Sequence, residues 1–191
     1  MSEFTKSQLE LPIIKNPVIS KVAIFTFSNN SKSRLMACFA TYAHASDVIS
    51  AVTKRTDVGP GDIIIVDVVA NSFPDISEFG PIEFNFDADK AEYVSFEQGK
   101  DLSNYVFTET QTVGTLSVSG MDQLMSVTTD DNGDEKVSTS FSSDSQVTLF
   151  SIVLRLYPES NGEVNCWIGN TGTFTSVKDT VTAKVGTGVT L

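Results

Sequence analysis

The chain has 191 residues, a net charge of −11, two cysteines and 40 % apolar residues. That length suits one large domain burying roughly 70 % of its unfolded surface, with no need of a disulfide scaffold. The charge excludes wrapping of nucleic acid by the whole domain, which requires clustered Lys and Arg; no run reaches the roughly 18–20 apolar residues of a membrane span.

The charge is unevenly spread. Residues 1–56 carry seven Lys/Arg against Glu3, Glu10 and Asp47, whereas the remaining 135 carry six basic and 21 acidic residues. A weak contact with nucleic acid through the N-terminal quarter is therefore still allowed, above a solvated acidic surface. The first twenty residues contain no apolar stretch that would serve as a signal peptide. Cys38 and Cys166 read as small buried apolar residues of a reducing compartment, with one bridge between them still possible. The expectation is a soluble, intracellular protein with no membrane contact.

In chain order, residues 1–17 read as an N-terminal arm. KVAIFTF (21–27) and SRLMACFATYA (33–43) are strand-like, joined by a hairpin connection at SNNSK. Within HASDVISAVTKR (44–55), residues 46–55 read as a short helix: Ser46 can cap it, Val48, Ala51 and Val52 share a face, and Lys54 and Arg55 sit in the last turn. Gly59-Pro60-Gly61 stops it before GDIIIVDVVA (61–70), a strand apolar on both faces at its start. IEFNF (82–86) alternates, with Ile82, Phe84 and Phe86 inward and Glu83 and Asn85 outward. GTLSVSG (114–120) is a further strand, and residues 123–141 form a hairpin around Asn132-Gly133, a pair that tolerates positive φ. VTLFSIVLRLY (147–157) meets EVNCWIG (163–169), in which Val164, Cys166 and Ile168 share one face. The Thr/Val/Gly-rich tail is a C-terminal strand or extension over 171–191. Eight or nine strands at this spacing predict an all-β antiparallel jelly-roll sandwich over 18–170, with the short helix between its second and third strands.

No motif specifies a reaction. His44, Ser46 and Asp47 lack a nucleophile-elbow context, and GTLSVSG comes near G-x-S-x-G without matching it. A phosphate loop runs strand, loop, helix, whereas the expected order at Gly59-Pro60-Gly61 is the reverse and Pro60 removes an amide donor. Cys38 and His44, six residues apart on a strand, lie roughly 20 Å apart, too far to share a zinc ion. A calcium loop aligned on Gly133 would have Thr128 and Thr139 where Asp and Glu are needed. The carboxylates Asp75, Glu78, Glu83, Asp87, Asp89, Glu92, Glu97 and Asp101 read as an acidic rim rather than a glycosidase pair. The expectation is no catalytic, cofactor or metal residue, and no enzyme.

The order strand, strand, HASDVISAVTKR, GPGDIIIV, followed by the late pair VTLFSIVLRLY and EVNCWIG, resembles the single jelly roll of picorna-like virus capsid proteins. In that family a short helix links the second and third strands. Size and acidity are similar to coat proteins of plant picorna-like viruses, the cheravirus type of the secovirid family. The resemblance implies a structural capsid protein in a pseudo-T=3 icosahedral shell, located in the virion and the host cytoplasm. Its partners would be sister coat proteins, symmetry copies of itself and packaged RNA, met indirectly or through the N-terminal part. The alternative is a ligand- or carbohydrate-binding β-sandwich module of adhesin or phage-tail type, suggested by Tyr42, Tyr105, Tyr157 and Trp167 beside acidic loops.

Overall fold

The computed structural model describes residues 48–191 apart from Thr56, Asp130, Asp134, Asn161 and residues 177–179. The expected arm, the first two expected strands, Cys38, Tyr42, His44, Ser46 and Asp47 lie outside the described residues.

The described chain is built from strands β1 (Val48–Val52), β2 (Ile63–Ala70), β3 (Ile76–Phe86), β4 (Ala91–Gln98), β5 (Tyr105–Thr112), β6 (Thr115–Asp122), β7 (Ser126–Thr129) and β8 (Glu135–Ser138). There follow β9 (Val147–Leu156), β10 (Asn165–Asn170), β11 (Thr173–Ser176), β12 (Thr180–Thr182), β13 (Lys184–Val185) and β14 (Val189–Thr190). The one helical segment among the described residues is a single 3₁₀ turn at Lys100–Leu102. Two sheets pack face to face as a jelly-roll β-sandwich, the all-β class read from the sequence. The first runs β13-β1-β2-β9-β4. The second centres on β3, which pairs with β6 along one edge and with β10 and β11 along the other; β5, β14 and β12 complete it. The β7–β8 hairpin stands apart around Asn132-Gly133, as its sequence predicts.

The expected helix over 46–55 is not formed: VISAV is strand β1. Its alternation decides the matter, because Ile49 and Ala51 are buried on one face, whereas a helical face through Val48, Ala51 and Val52 would leave Ile49 aside. β1 also gains two ladders, antiparallel with β2 and parallel with β13. A marginal helix of about ten residues gains neither, so long-range pairing overrides the local capping signal. Lys54 and Arg55 accordingly sit in the link to β2, where the Arg55 guanidinium donates to Asp62 at 2.6 Å.

Two further expectations change. At its start β2 is buried on one face only: Ile64 and Val66 point inward while Ile63 and Ile65 are 52 % and 50 % exposed. The late pair is not a hairpin, since β9 belongs to the first sheet and β10 to the second. The link 157–164 therefore crosses the sandwich. Val164, Cys166 and Ile168 do share the inward face. The 171–191 tail, which carries little amphipathic signal, is ordered by pairing: β11 and β14 lie beside β3 and β10, and β13 beside β1.

The core between the sheets is aromatic. Phe73, in the link between β2 and β3, has its ring centroid 5.9 Å from Phe79, 5.8 Å from Tyr105 and 6.5 Å from Phe174, all at steep angles. Phe79 stacks on Phe174 at 5.7 Å, and Phe107 approaches both Phe79 and Phe96 at 5.6 Å, joining the sheets. Tyr105 is buried and its hydroxyl donates to the Ile76 carbonyl. Beside this cluster β3 meets the β10–β11 link at close range. Gly172 has φ +62°, and a Cβ there would fall 2.4 Å from the Gly80 carbonyl carbon, so no larger residue fits without moving backbone.

This packing sets what substitution and labelling should show. Phe79→Ala should cost about 3–5 kcal/mol in urea unfolding, through lost transfer energy and an unfilled cavity. Gly172→Ala should cost at least about 1–2 kcal/mol, because both φ and space oppose it. Burial pushes the Cys166 thiol up to about 12, with the Asp87 carboxylate adding to the shift. Peptide mapping after iodoacetamide at about pH 8 should therefore find Cys166 unmodified in the native protein and alkylated after unfolding.

Candidate functional site

The residues singled out in the sequence do not converge. Glu78 and Glu83 lie on β3, Glu92 and Glu97 on β4, and Asp101 in the 3₁₀ turn. Asp87 holds the chain in place, its carboxylate accepting from the Asn165 backbone and side-chain nitrogens at 2.9 and 3.1 Å. Among the described residues no group of three His, Cys, Asp or Glu side chains could hold a metal ion. The buried Asp122 carboxylate accepts from Ser140 N, Ser140 Oγ and Leu124 N at 2.6, 2.8 and 2.9 Å, so it closes a loop. Of the aromatic candidates, Tyr105 belongs to the core, Tyr157 is half-buried and Trp167 is 43 % exposed.

What remains are the outer faces of the two sheets. On the seven-stranded sheet, the inward fixing of Cys166 and Ile168 turns Trp167 outward. Trp167 lies opposite Asn85 of β3, which lies opposite Thr115 of β6, itself opposite Thr112 of β5. Thr115 Oγ1 donates to Asn85 Oδ1 at 2.7 Å, which holds this row. Across from Trp167, Gly188 approaches with no side chain of its own; a Cβ there would sit 3.3 Å from the Trp167 Cβ. The next row sets Glu83, Ser117 and Thr110 side by side. At the far end of the face Thr175, Glu78, Met121 and Val106 form a row in which Met121 is 54 % and Val106 42 % exposed. The face is thus a flat carpet of short hydroxyl side chains with apolar groups at opposite ends. No strand of this sheet contains Lys or Arg, whereas Glu78 and Glu83 lie on this face; Glu109 shares the inward side with Val118, and Asp122 is buried.

The five-stranded sheet offers a narrower stripe. Ile65 lies opposite Val153, and Ile63 opposite Arg155; Val94 is extruded at a bulge in β4. A shallow depression of about 410 Å³ runs past Thr53, Lys54, Ile63, Ile65, Asp67 and Glu97. Closed pairs bound the stripe: Arg155 to Glu92 at 3.0 Å, Arg55 to Asp62 at 2.6 Å, and Ser151 Oγ donating to Asp67 at 2.6 Å. Among the described residues neither face holds a positioned nucleophile or paired acids of a catalytic centre.

Sequence reasoning finds Trp167 as an exposed candidate, but the hydroxyl rows escape it, because they exist only through pairings between β3, β5, β6 and β10. The retrievable signal is the Ser/Thr alternation in TETQT and TLSVSG, with Leu116 and Val118 marking the opposite face.

No family model matches the chain, and no curated protein matches it by sequence. Solved structures do match. The sixth cohesin of scaffoldin B from Acetivibrio cellulolyticus, in complex with a Cel5 dockerin, has 21 % identity and a TM-score of 0.54 over 75 % of this chain and 97 % of that one. A type I cohesin–dockerin complex of Clostridium thermocellum, Coh-OlpA–Doc918, gives 18 % and 0.56 over 75 % and 96 %. A non-cellulosomal cohesin from the archaeon Archaeoglobus fulgidus gives 15 % and 0.55 over 76 % and 89 %. These neighbours overturn the coat-protein reading and everything it implied: the icosahedral shell, sister subunits and RNA as partners, and the virion and host cytoplasm as location. At such identities the likeness establishes the fold: this chain is a jelly-roll β-sandwich similar to bacterial and archaeal cohesin modules.

Proposed function

We propose that this chain is a protein-binding module rather than an enzyme, and that it takes its partner on the outer face of the seven-stranded sheet. The cohesins it is similar to include two solved in complex with dockerins. The observation that carries the reading here is the exposed Trp167, set in a flat field of Ser and Thr.

Trp at the centre of a contact is the residue type that most often dominates binding energy. Covering the exposed part of its ring, on the order of 100 Å², is worth about 2–3 kcal/mol. The surrounding hydroxyl groups lose little rotamer freedom on burial and adapt their hydrogen bonds to a partner surface. The sheet's lack of Lys and Arg selects a partner that presents basic side chains to Glu78 and Glu83. The apolar stripe of Ile63 and Ile65 supports a second, weaker reading, with the partner on the five-stranded sheet. It is narrower, and its rim pairs would have to be desolvated.

The test is to immobilise the full chain, capture its partner from the organism of origin, and compare variants with the captured protein. Trp167→Ala should weaken binding roughly 10- to 100-fold, Ser117→Arg should abolish it, and Ile65→Ser should leave it within about two-fold. Added salt should slow association. No captured partner, or loss confined to Ile65→Ser, would contradict the proposed face.

A further inference from the structure

The surroundings of Trp167 are more specific than a flat hydroxyl face requires. Two glycines flank the indole. Gly188 lies against its Cα and Cβ, and Gly169 follows two residues on along β10, roughly 6–7 Å away. Neither puts a side chain beside the ring. Over Gly169 lie two side chains of β3 instead: a Cβ there would fall 2.2 Å from Asn85 Nδ2 and 3.7 Å from Glu83 Oε2. The glycine thus lets the Asn85 amide lie down on the β10 backbone, and the Glu83 carboxylate stands at the far side of it. The result is a short trough with an indole at one end, an amide floor and a carboxylate at the other end.

The polarity of the trough is fixed. Asn85 Oδ1 already accepts from Thr115 Oγ1 at 2.7 Å, so the amide turns its N–H groups, not its oxygen, toward β10. Glu83 is therefore the charged acceptor of the trough, and among the described residues it forms no ion pair. With no Lys or Arg on any strand of this sheet, the charge it needs has to come from outside.

We infer that this trough is an arginine receptor: a guanidinium of the partner lies on the Trp167 indole and donates to the Glu83 carboxylate. The inference rests on the protein-binding reading of this face and names the partner group that the face takes. An arginine meets both ends at once. Its planar, weakly hydrated cation stacks on an aromatic ring while its N–H groups, in the same plane, pair with a carboxylate. A lysine ammonium is compact and strongly hydrated, so it meets one end or the other. Trp167 would supply the area and Glu83 the choice of cation.

The experiment uses the full chain, whose single tryptophan gives one indole N–H resonance that reports this trough alone. The probes are three blocked tripeptides, acetyl-Gly-X-Gly-amide with X as arginine, lysine or the neutral isostere citrulline, titrated at matched ionic strength. The arginine probe should shift the Trp167 indole and Gly169 amide resonances saturably. The lysine and citrulline probes should bind at least about 3-fold more weakly, and Glu83→Gln should weaken the arginine probe by about 3- to 5-fold, the range of an exposed charge pair. Unchanged amide resonances away from the trough show that the variant keeps its fold. Equal response to arginine and lysine, an unchanged response in Glu83→Gln, or no shift of the indole resonance would overturn the inference. A partner captured from the organism of origin separates the two readings. Loss of that partner in Trp167→Ala but not in Glu83→Gln would leave the protein-binding face standing and remove the arginine receptor. Retention in both variants would remove both.

Discussion

The structure depends on how the rings of Phe73 and Phe79 fill the space between two sheets. Phe79 sits on β3, the strand that pairs with β6, β10 and β11. Phe73 arrives from the link to β2 and is anchored by a two-way backbone bridge with Ser143. Aromatic groups at 5.6–5.9 Å, most of them edge to face, supply both area and geometry. Because side chains alternate along a strand, fixing this inner set also fixes the outer one. Trp167 faces out because Cys166 and Ile168 face in, and Ser117 and Ser119 face out because Leu116 and Val118 face in. The candidate binding face is the obligatory reverse of the core.

The same alternation explains which parts of the sequence are legible. Where one strand carries its own alternation, as in IEFNF or VNCWI, the reading of inward and outward residues holds. The hairpin at Asn132-Gly133 holds because its turn chemistry is local. VISAV misleads because Ser46, Lys54 and Arg55 supply helix-end chemistry at suitable positions, while its strand partners lie 15–21 and 136 residues further along. Sheet assignment is hidden for a similar reason. VTLFSIVLRLY and EVNCWIG are neighbours in sequence, yet nothing local says that the link between them changes sheets. Tyr105 reads from the sequence as exposed beside acidic loops, and only the tertiary structure gives it a buried acceptor at Ile76.

The coat-protein likeness rests on element order and on a helix that does not form. Its failure illustrates that a jelly roll is an answer to a packing problem, shared by shells, lectins and adhesion modules, and that function has to be argued from a surface. Here the surface is specific in its charge. A face that presents Glu78 and Glu83, with no cation among its strands, on a chain already strongly acidic, disfavours its own copies and suits a basic partner.

The most direct measurement is side-chain footprinting by hydroxyl radicals, comparing the free chain with its complex. The account predicts that oxidation of Trp167 and Met121 falls sharply in the complex while Ile63, Ile65 and Val94 stay as reactive as before. Protection of Ile63, Ile65 and Val94 with Trp167 unchanged would place the partner on the five-stranded sheet and contradict the account.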